Sequence, residues 1–123
     1  GDYLKTANDQ SLLIVLIEDI VAVNNLDAVL TVDHIDVFFV APNDLATSMG
    51  HIGNMTHPEV QKTVDGAIAK IVQAGRTAGT LVSSANVEGY TRKGVRCIMT
   101  SFFPWIQAGA KDLMDRAAAG AKG

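Results

Sequence analysis

The sequence has a single cysteine, Cys97, and no run of lysine or arginine residues. One cysteine cannot form an internal disulfide, so we expect a buried structural thiol, a reducing compartment and a cytoplasmic location. The net charge is −3, and without a basic run the chain offers no electrostatic surface for nucleic acid or an acidic membrane. We therefore expect neither nucleic acid nor a membrane among its partners.

Long apolar runs and glycine-rich phosphate loops are also missing. The apolar segments are too short to span a bilayer, and the first residues, GDYLKTANDQ, lack the organisation of a signal peptide. Gly50 and Gly53 do not form a GxGxxG element, and no phosphate loop precedes a lysine, which argues against nucleotide binding. Since 48% of residues are hydrophobic and 19% charged, we expect one folded domain over residues 1–123.

What the sequence does contain is a repeated alternation of strand and helix patterns. Strands are predicted at 12–17, 37–41, 77–82 and 96–102, and the first two, LLIVLI and VFFVA, are continuous apolar runs typical of strands buried on both faces. Helical spacing or helix-start signals predict a helix that begins at residue 19 and ends near 31–34, and further helices at 58–75, 87–93 and 104–116. Residues 45–57 are predicted to be a loop with at most one helical turn, and 117–123 a frayed tail.

The order of these elements predicts an α/β fold of four consecutive parallel βα units. No Asn-Gly or Asp-Gly turn directly joins two predicted strands, and each connection contains a helix, as parallel pairing requires. A (β/α)₈ TIM barrel of about 250 residues uses about 31 per unit, and a quarter of the 123 residues here is about the same. The chain therefore has the length of half a barrel.

Two acidic residues follow neighbouring predicted strands. Glu18 ends the first and Asp44 follows the second after Pro42, so in a parallel sheet both carboxylates emerge at the carboxyl-terminal rim. Two close carboxylates repel, and either one takes up a proton or a cation lies between them. Two carboxylates plus water suit a hard, octahedral divalent ion with open positions for a substrate oxygen. The alternative is that Asp19 and Asp44 cap the next helices.

The histidines and aromatic residues have simpler interpretations. His34 is expected to face solvent at the opposite rim, His51 to lie in the long loop, and His57 to form part of a helix start. A structural or solvated role is favoured for all three. The aromatic cluster of Phe102, Phe103 and Trp105 is interpreted as a packing or subunit contact rather than a stacking platform for bases or sugars.

The segment VLIEDIVAVNNLDAVLTVDHIDVFFVAPNDLATSMGHIGNMTHPEVQ resembles the second half of the HpcH/HpaI aldolase family. The resemblance rests on two motifs, Q-I-E at one strand end and G-P-x-D-L-x-x-S-M-G at the next, and is strongest over residues 12–79. Members are class II, metal-dependent pyruvate aldolases with (β/α)₈ barrels, and this chain resembles units five to eight. The resemblance implies a carbon–carbon lyase that cleaves 4-hydroxy-2-oxo acids to pyruvate and an aldehyde.

The resemblance also implies roles for particular residues. Glu18 and Asp44 correspond to the ligands of a divalent metal, Mg²⁺ or Mn²⁺, with Co²⁺ as a third option. Backbone groups of the loop that includes Ala41 and Asn43 correspond to those that hold the pyruvyl carboxylate, and Leu81 to an apolar residue lining the pocket.

The departures from the family pattern concern the substrate and the missing half. Leu16 replaces the glutamine two positions before the metal-binding glutamate, and Ala41 replaces the glycine before the proline. The catalytic base and an arginine that steadies the enolate correspond to the first half of the barrel, so no residue here is assigned to either role. A small 2-oxo acid is the expected ligand, and a complementary half-barrel or a second copy is the expected partner. The alternative is a non-catalytic half-barrel that self-associates and at most binds a metal or small carboxylate.

Overall fold

The computed structural model describes residues 2–121. Seven helices and four strands occur in this range, together with a 3₁₀ turn at Asn8–Gln10. The strands are β1 Ile14–Ile17, β2 Val37–Val40, β3 Ala78–Leu81 and β4 Cys97–Met99. The helices are α1 Tyr3–Thr6, α2 Ile20–Asn24, α3 Leu26–Val29, α4 Pro42–Ser48, α5 Pro58–Gln73, α6 Val87–Arg92 and α7 Phe103–Gly120. None of these helices is long and apolar enough to cross a bilayer.

The four strands form one parallel sheet in chain order, β1-β2-β3-β4. In the register of the sheet, Leu16 lies beside Phe39, Phe39 beside Gly79, and Gly79 beside Cys97. Helices join the strands, so the prediction of four consecutive parallel βα units is confirmed.

One face of the sheet is covered by helices and carries the core. Phe38 and Val40 of β2 contribute to this face, and α5 packs against it through an apolar stripe. The buried residues of that stripe are Val60, Val64, Ala67, Ile68 and Ile71, at the three- and four-residue spacing of one helix face. Pro58 begins α5 and Gly75 follows it with φ +71°, so the predicted limits of this helix are confirmed to within two residues.

The opposite face, which we call the open face, holds Leu16, Phe39, Gly79 and Cys97. Phe39 is only 4% exposed because its ring lies over Gly79, where an added Cβ would be 2.7 Å from Phe39 Cδ2. Strand β2 is thus buried on both faces, as predicted.

The interpretation of the first strand as fully buried was wrong. Ile14 is 41% exposed and Leu16 is 55% exposed, because β1 lies at the edge of the sheet and no further element covers its open face. The opposite edge strand, β4, has Ile98 and Met99 exposed, and Cys97 is half-buried rather than buried.

Two helix predictions also need correction. The helix predicted from residue 19 to near 31–34 is divided at Asn25 (φ −103°, ψ 15°) into α2 and α3, and α3 ends at Val29. The loop predicted from residue 45 begins only after α4, which makes about two turns starting at Pro42, a residue whose fixed φ suits a first helical position.

The last helix is longer than predicted and none of its residues is buried. Residues 117–120, expected to fray, continue α7 to Gly120, consistent with the high helix propensity of alanine in this segment. Residues 122 and 123 lie outside the described part of the chain. Phe102, Phe103 and Trp105 are 57–62% exposed, so they do not pack in the core of this chain.

Candidate metal and substrate site

Glu18 and Asp44 follow adjacent parallel strands at the same end of the sheet. Ile17 pairs with Val40, and the Ala41 amide donates to the Ile17 carbonyl (3.1 Å), which places Glu18 beside the start of α4. Asp44 is the third residue of α4, where a carboxylate is favoured by the helix dipole. Its side chain makes no capping hydrogen bond, so the interpretation of Asp44 as a helix cap is not supported.

The two carboxylates lack an ion-pair partner in the described part of the chain. Across residues 2–121, the hydrogen bonds and ion pairs include neither the Glu18 nor the Asp44 side chain. Glu18 is half-buried and Asp44 is exposed. Carboxylate oxygens are the ligand type that a hard divalent cation prefers, so these two side chains could hold such an ion together with water or substrate oxygens.

The interpretation of Asp19 as a helix cap agrees with the structure. Its Oδ1 accepts a hydrogen bond from the Val21 amide (2.6 Å) at the start of α2. Ser48 at the end of α4 donates its hydroxyl to Asp19 Oδ2 (3.3 Å) and accepts from the Ile20 amide (2.8 Å). Ser48 therefore links the segments that follow β1 and β2 through hydrogen bonds. Sequence reasoning gave it no role, although it lies within the quoted DLATSMG motif.

The candidate substrate residues lie at the same end of the sheet. Ala41 is half-buried between β2 and α4, and its carbonyl accepts from the Leu45 amide (3.1 Å). Asn43 is exposed on α4, and Leu81 is half-buried at the end of β3. Leu16 lies on the open face of β1, two residues before Glu18, with no polar group to offer a keto acid.

Leu81 also contributes to a cavity of about 140 Å³ between the start of α4 and the segment after β3. Pro42 and Tyr90 line it as well. Burial, and to a lesser extent the Asp65 carboxylate, raises the pKa of Tyr90, while Lys93 partly offsets this. The Tyr90 hydroxyl donates to Gln61 Oε1 (3.3 Å). Because its pKa is raised, this hydroxyl is a neutral donor at the edge of the cavity near neutral pH.

A second group of possible metal ligands lies between α4 and the first turn of α5. Ligand atoms of His51, His57 and Glu59 all lie within 4.8 Å of one another. His57 is the N-cap of α5, accepting at Nδ1 from the Glu59 amide (3.3 Å), which confirms its predicted place at a helix start. His34 is exposed, as expected.

The sequence of this chain matches a known protein family. The family model described as HpcH/HpaI aldolase/citrate lyase matches residues 2–102. A hydroxypyruvate/pyruvate aldolase of Cupriavidus necator is 49% identical over 82 residues, which are 67% of this chain and 30% of that protein. A 4-hydroxy-2-oxo-heptane-1,7-dioate aldolase of Shigella sonnei is 43% identical over 83 residues, 68% of this chain and 32% of that protein.

A solved structure gives the same result in three dimensions. The fold matches a HpcH/HpaI aldolase/citrate lyase family protein of Burkholderia cenocepacia with a TM-score of 0.85 and 30% identity, covering 95% of this chain and 46% of that one. The chain thus spans about a third of the length of the curated relatives and about half of this structural relative. The chain belongs to the HpcH/HpaI aldolase/citrate lyase family.

Proposed function

We propose that this chain is the metal-binding half of an aldolase that cleaves 4-hydroxy-2-oxo acids to pyruvate and an aldehyde. The observation that carries the proposal is the pair Glu18 and Asp44, two carboxylates that follow adjacent parallel strands and have no cationic partner among residues 2–121. The names of the relatives support the substrate class, because they include a pyruvate aldolase and an aldolase of a 4-hydroxy-2-oxo diacid.

In this proposal the two carboxylates hold Mg²⁺, Mn²⁺ or Co²⁺ at the rim of the sheet. Such an ion, when bound, supplies electrostatic stabilisation for the enolate that develops as the C3–C4 bond breaks. The segment from Ala41 to Asn43 positions the substrate carboxylate, and Leu81 contributes apolar surface beside it. Ser48 fixes the segments that carry Glu18 and Asp44 through its hydrogen bonds to Ile20 and Asp19.

In this proposal the site needs the other half of the barrel. A retro-aldol cleavage needs a base to remove the 4-hydroxyl proton, and the family resemblance assigns both this base and the arginine that steadies the enolate to the first half of the barrel. We therefore propose that a complementary half-barrel or a second copy completes the site. Exposed apolar side chains support an association of this kind, because large unpartnered apolar surfaces mark interaction sites. They include Leu16 on the open face and Ile106 and Leu113 on α7.

The second candidate is a half-barrel that self-associates and binds a metal or a small carboxylate without turnover. Two residues favour it. Leu16 cannot donate a hydrogen bond to a keto acid, and Ala41 adds a methyl group where the family pattern has glycine.

The metal assignment is tested by titrating Mn²⁺ into the chain by calorimetry. Glu18→Gln and Asp44→Asn each remove one charged ligand and are expected to weaken Mn²⁺ binding by at least about tenfold. Asp33→Asn, which neutralises another exposed carboxylate, is the matched control and should bind as the unaltered chain does. Equal Mn²⁺ binding by all four proteins would remove the site assignment.

The reaction is tested by pyruvate release from a 4-hydroxy-2-oxo acid, with the molar mass measured by light scattering in the same buffer. Metal-dependent release that disappears in Glu18→Gln is expected when the complementary half is present. Metal binding without release under that condition would favour the non-catalytic candidate. A molar mass equal to one chain, unchanged at higher concentration, would contradict self-association.

A further inference from the structure

His51, His57 and Glu59 are held close together by the segment that joins α4 to α5. The His51 amide donates to the Ala46 carbonyl (2.7 Å), which attaches this residue to α4. The Asn54 amide then donates to the His51 carbonyl (2.9 Å), and the His57 amide to the Asn54 carbonyl (3.1 Å). These successive hydrogen bonds fix the backbone positions from which both histidine side chains project.

The turn that brings the histidines together also depends on glycine. Gly50 and Gly53 flank the His51 region with φ values of +83° and +71°, a backbone conformation that other residues adopt with strain. The two imidazole rings are stacked, with centroids 3.7 Å apart and planes inclined by 16°. Both histidines are half-buried, while Glu59 is exposed.

We propose that His51, His57 and Glu59 form a binding site for a borderline transition-metal ion, with Zn²⁺ as the best-suited ion. The ligand set differs in kind from Glu18 and Asp44. Two imidazole nitrogens and one carboxylate suit Zn²⁺, whereas two carboxylates suit the harder Mg²⁺ or Mn²⁺. The fourth coordination position would be open to water. Three protein ligands are sufficient for an ion that stabilises the connection between α4 and α5.

The distances support this assignment. Zinc–nitrogen and zinc–oxygen bonds of about 2.0–2.1 Å at tetrahedral angles place neighbouring ligand atoms about 3.3 Å apart. His51 Nε2 and Glu59 Oε2 already lie 3.2 Å apart. The three ligand atoms fall within 4.8 Å, so the largest closure required is about 1.5 Å, the difference between 4.8 Å and that tetrahedral edge. Side-chain rotation provides a movement of this size.

Binding has three identifiable costs. The rings must open from their stacked arrangement so that their nitrogen lone pairs converge on one point. The ion would also lie near the amino-terminal end of α5, where the helix dipole disfavours a cation, although the Glu59 carboxylate opposes this effect. If His57 binds through Nδ1, it gives up the capping hydrogen bond from the Glu59 amide, which is long at 3.3 Å and therefore weak.

The test is a Zn²⁺ titration by calorimetry in the background Glu18→Gln/Asp44→Asn, which removes the other proposed metal ligands. His57→Asn is the most informative added change, because asparagine is a favoured N-cap that can still accept from the Glu59 amide while lacking the imidazole. We expect it to weaken Zn²⁺ binding by at least about tenfold, as should Glu59→Gln. His34→Asn is the control, since it removes an exposed histidine and asparagine tolerates φ +61°.

Proton NMR of the imidazole rings gives an independent measurement in the same background. Zn²⁺ should shift the ring resonances of His51 and His57 and leave those of His34 unchanged, while Mg²⁺ at the same concentration should shift none. Undiminished Zn²⁺ affinity in both His57→Asn and Glu59→Gln would overturn the proposal, as would ring shifts shared equally by all three histidines. Circular dichroism of each variant establishes that its helices are intact.

Discussion

Replacing Arg76 tests how the segment before β2 is fixed to the body of the chain. Its guanidinium donates to three main-chain carbonyls, those of Leu30 (2.8 Å), Val32 (3.0 Å) and Ile35 (3.0 Å). The same group lies 4.7 Å from the centroid of the Phe38 ring. One side chain, two residues before β3, thus donates to three of the carbonyls in the turn from α3 to β2. We predict that Arg76→Met is among the most destabilising single changes in a half-buried position.

The magnitude follows from the carbonyls that would lose their donor. The bonds to Leu30 and Ile35 are partly buried, and an acceptor left unsatisfied in such a place costs roughly 1–3 kcal/mol. The bond to Val32 is exposed, and water replaces it at little cost. Loss of the cation–π contact between Arg76 and Phe38 adds about 0.5–1 kcal/mol. The contact of the new methionine side chain with the Phe38 ring partly offsets this loss. Because both carbonyls are only partly buried, each is taken at about 1–2 kcal/mol, and we expect a loss of about 2–4 kcal/mol in the free energy of unfolding.

Urea unfolding followed by circular dichroism measures this loss. With a slope of about 1.5–2 kcal/mol per molar, the midpoint should fall by about 1–2.7 M. All proteins must be compared at one concentration, since association would shift the midpoint. Arg92→Met is the matched control, because among residues 2–121 this exposed arginine pairs only with Glu88 within α6, and its replacement should cost no more than about 0.5 kcal/mol. Equal midpoints for Arg76→Met and Arg92→Met would refute the reasoning.

Three further predictions concern packing, pH and the substrate. Gly79→Ala should lower the free energy of unfolding, measured by urea unfolding, by about 1–3 kcal/mol, because the added Cβ would lie 2.7 Å from Phe39 Cδ2. An unchanged midpoint would contradict this packing. The raised pKa of Tyr90 contributes stability that is complete below about pH 10 and is lost as pH rises from there through the folded-state pKa. Unfolding measured at pH 9 and 11 should therefore show a smaller decline in Tyr90→Phe than in the unaltered chain, whereas the exposed control Tyr3→Phe should match the unaltered chain. Leu16→Gln should leave the free energy of unfolding nearly unchanged, since Leu16 is 55% exposed. It should tighten Mn²⁺-dependent pyruvate binding, measured by calorimetry, roughly two- to tenfold through one added hydrogen bond. Unaltered affinity would contradict the role assigned to this position.

Local patterns were sufficient for the order and type of the main elements. The VFFV run predicted a strand buried on both faces, and Pro58 and Gly75 marked the limits of α5, because these signals depend on residues close in sequence. The same kind of pattern failed for LLIVLI. Its apolar character predicted burial, but exposure in β1 depends on what lies beside the strand, which its own sequence does not specify.

For the candidate site too, the sequence predicted some features and not others. The spacing of Glu18 and Asp44 from their strands was sufficient to place both at one rim, since parallel strands end on the same side. The sequence did not reveal that Ser48 links the segments after β1 and β2, nor that His51 and His57 stack beside Glu59. These contacts depend on how the chain turns after α4, and the glycines that allow the turn do not specify its direction.

The amino-acid sequence by itself determined the parallel α/β architecture, the two acidic residues at strand ends and the resemblance that the family comparison confirmed. Tertiary structure decided which apolar residues are covered. Phe39 is buried because it lies over Gly79, whereas Leu16 in the neighbouring strand and the residues of α7 remain exposed. The physical reason is that burial is a property of neighbouring elements, while strand and helix formation are set largely by the periodicity and propensity of each segment.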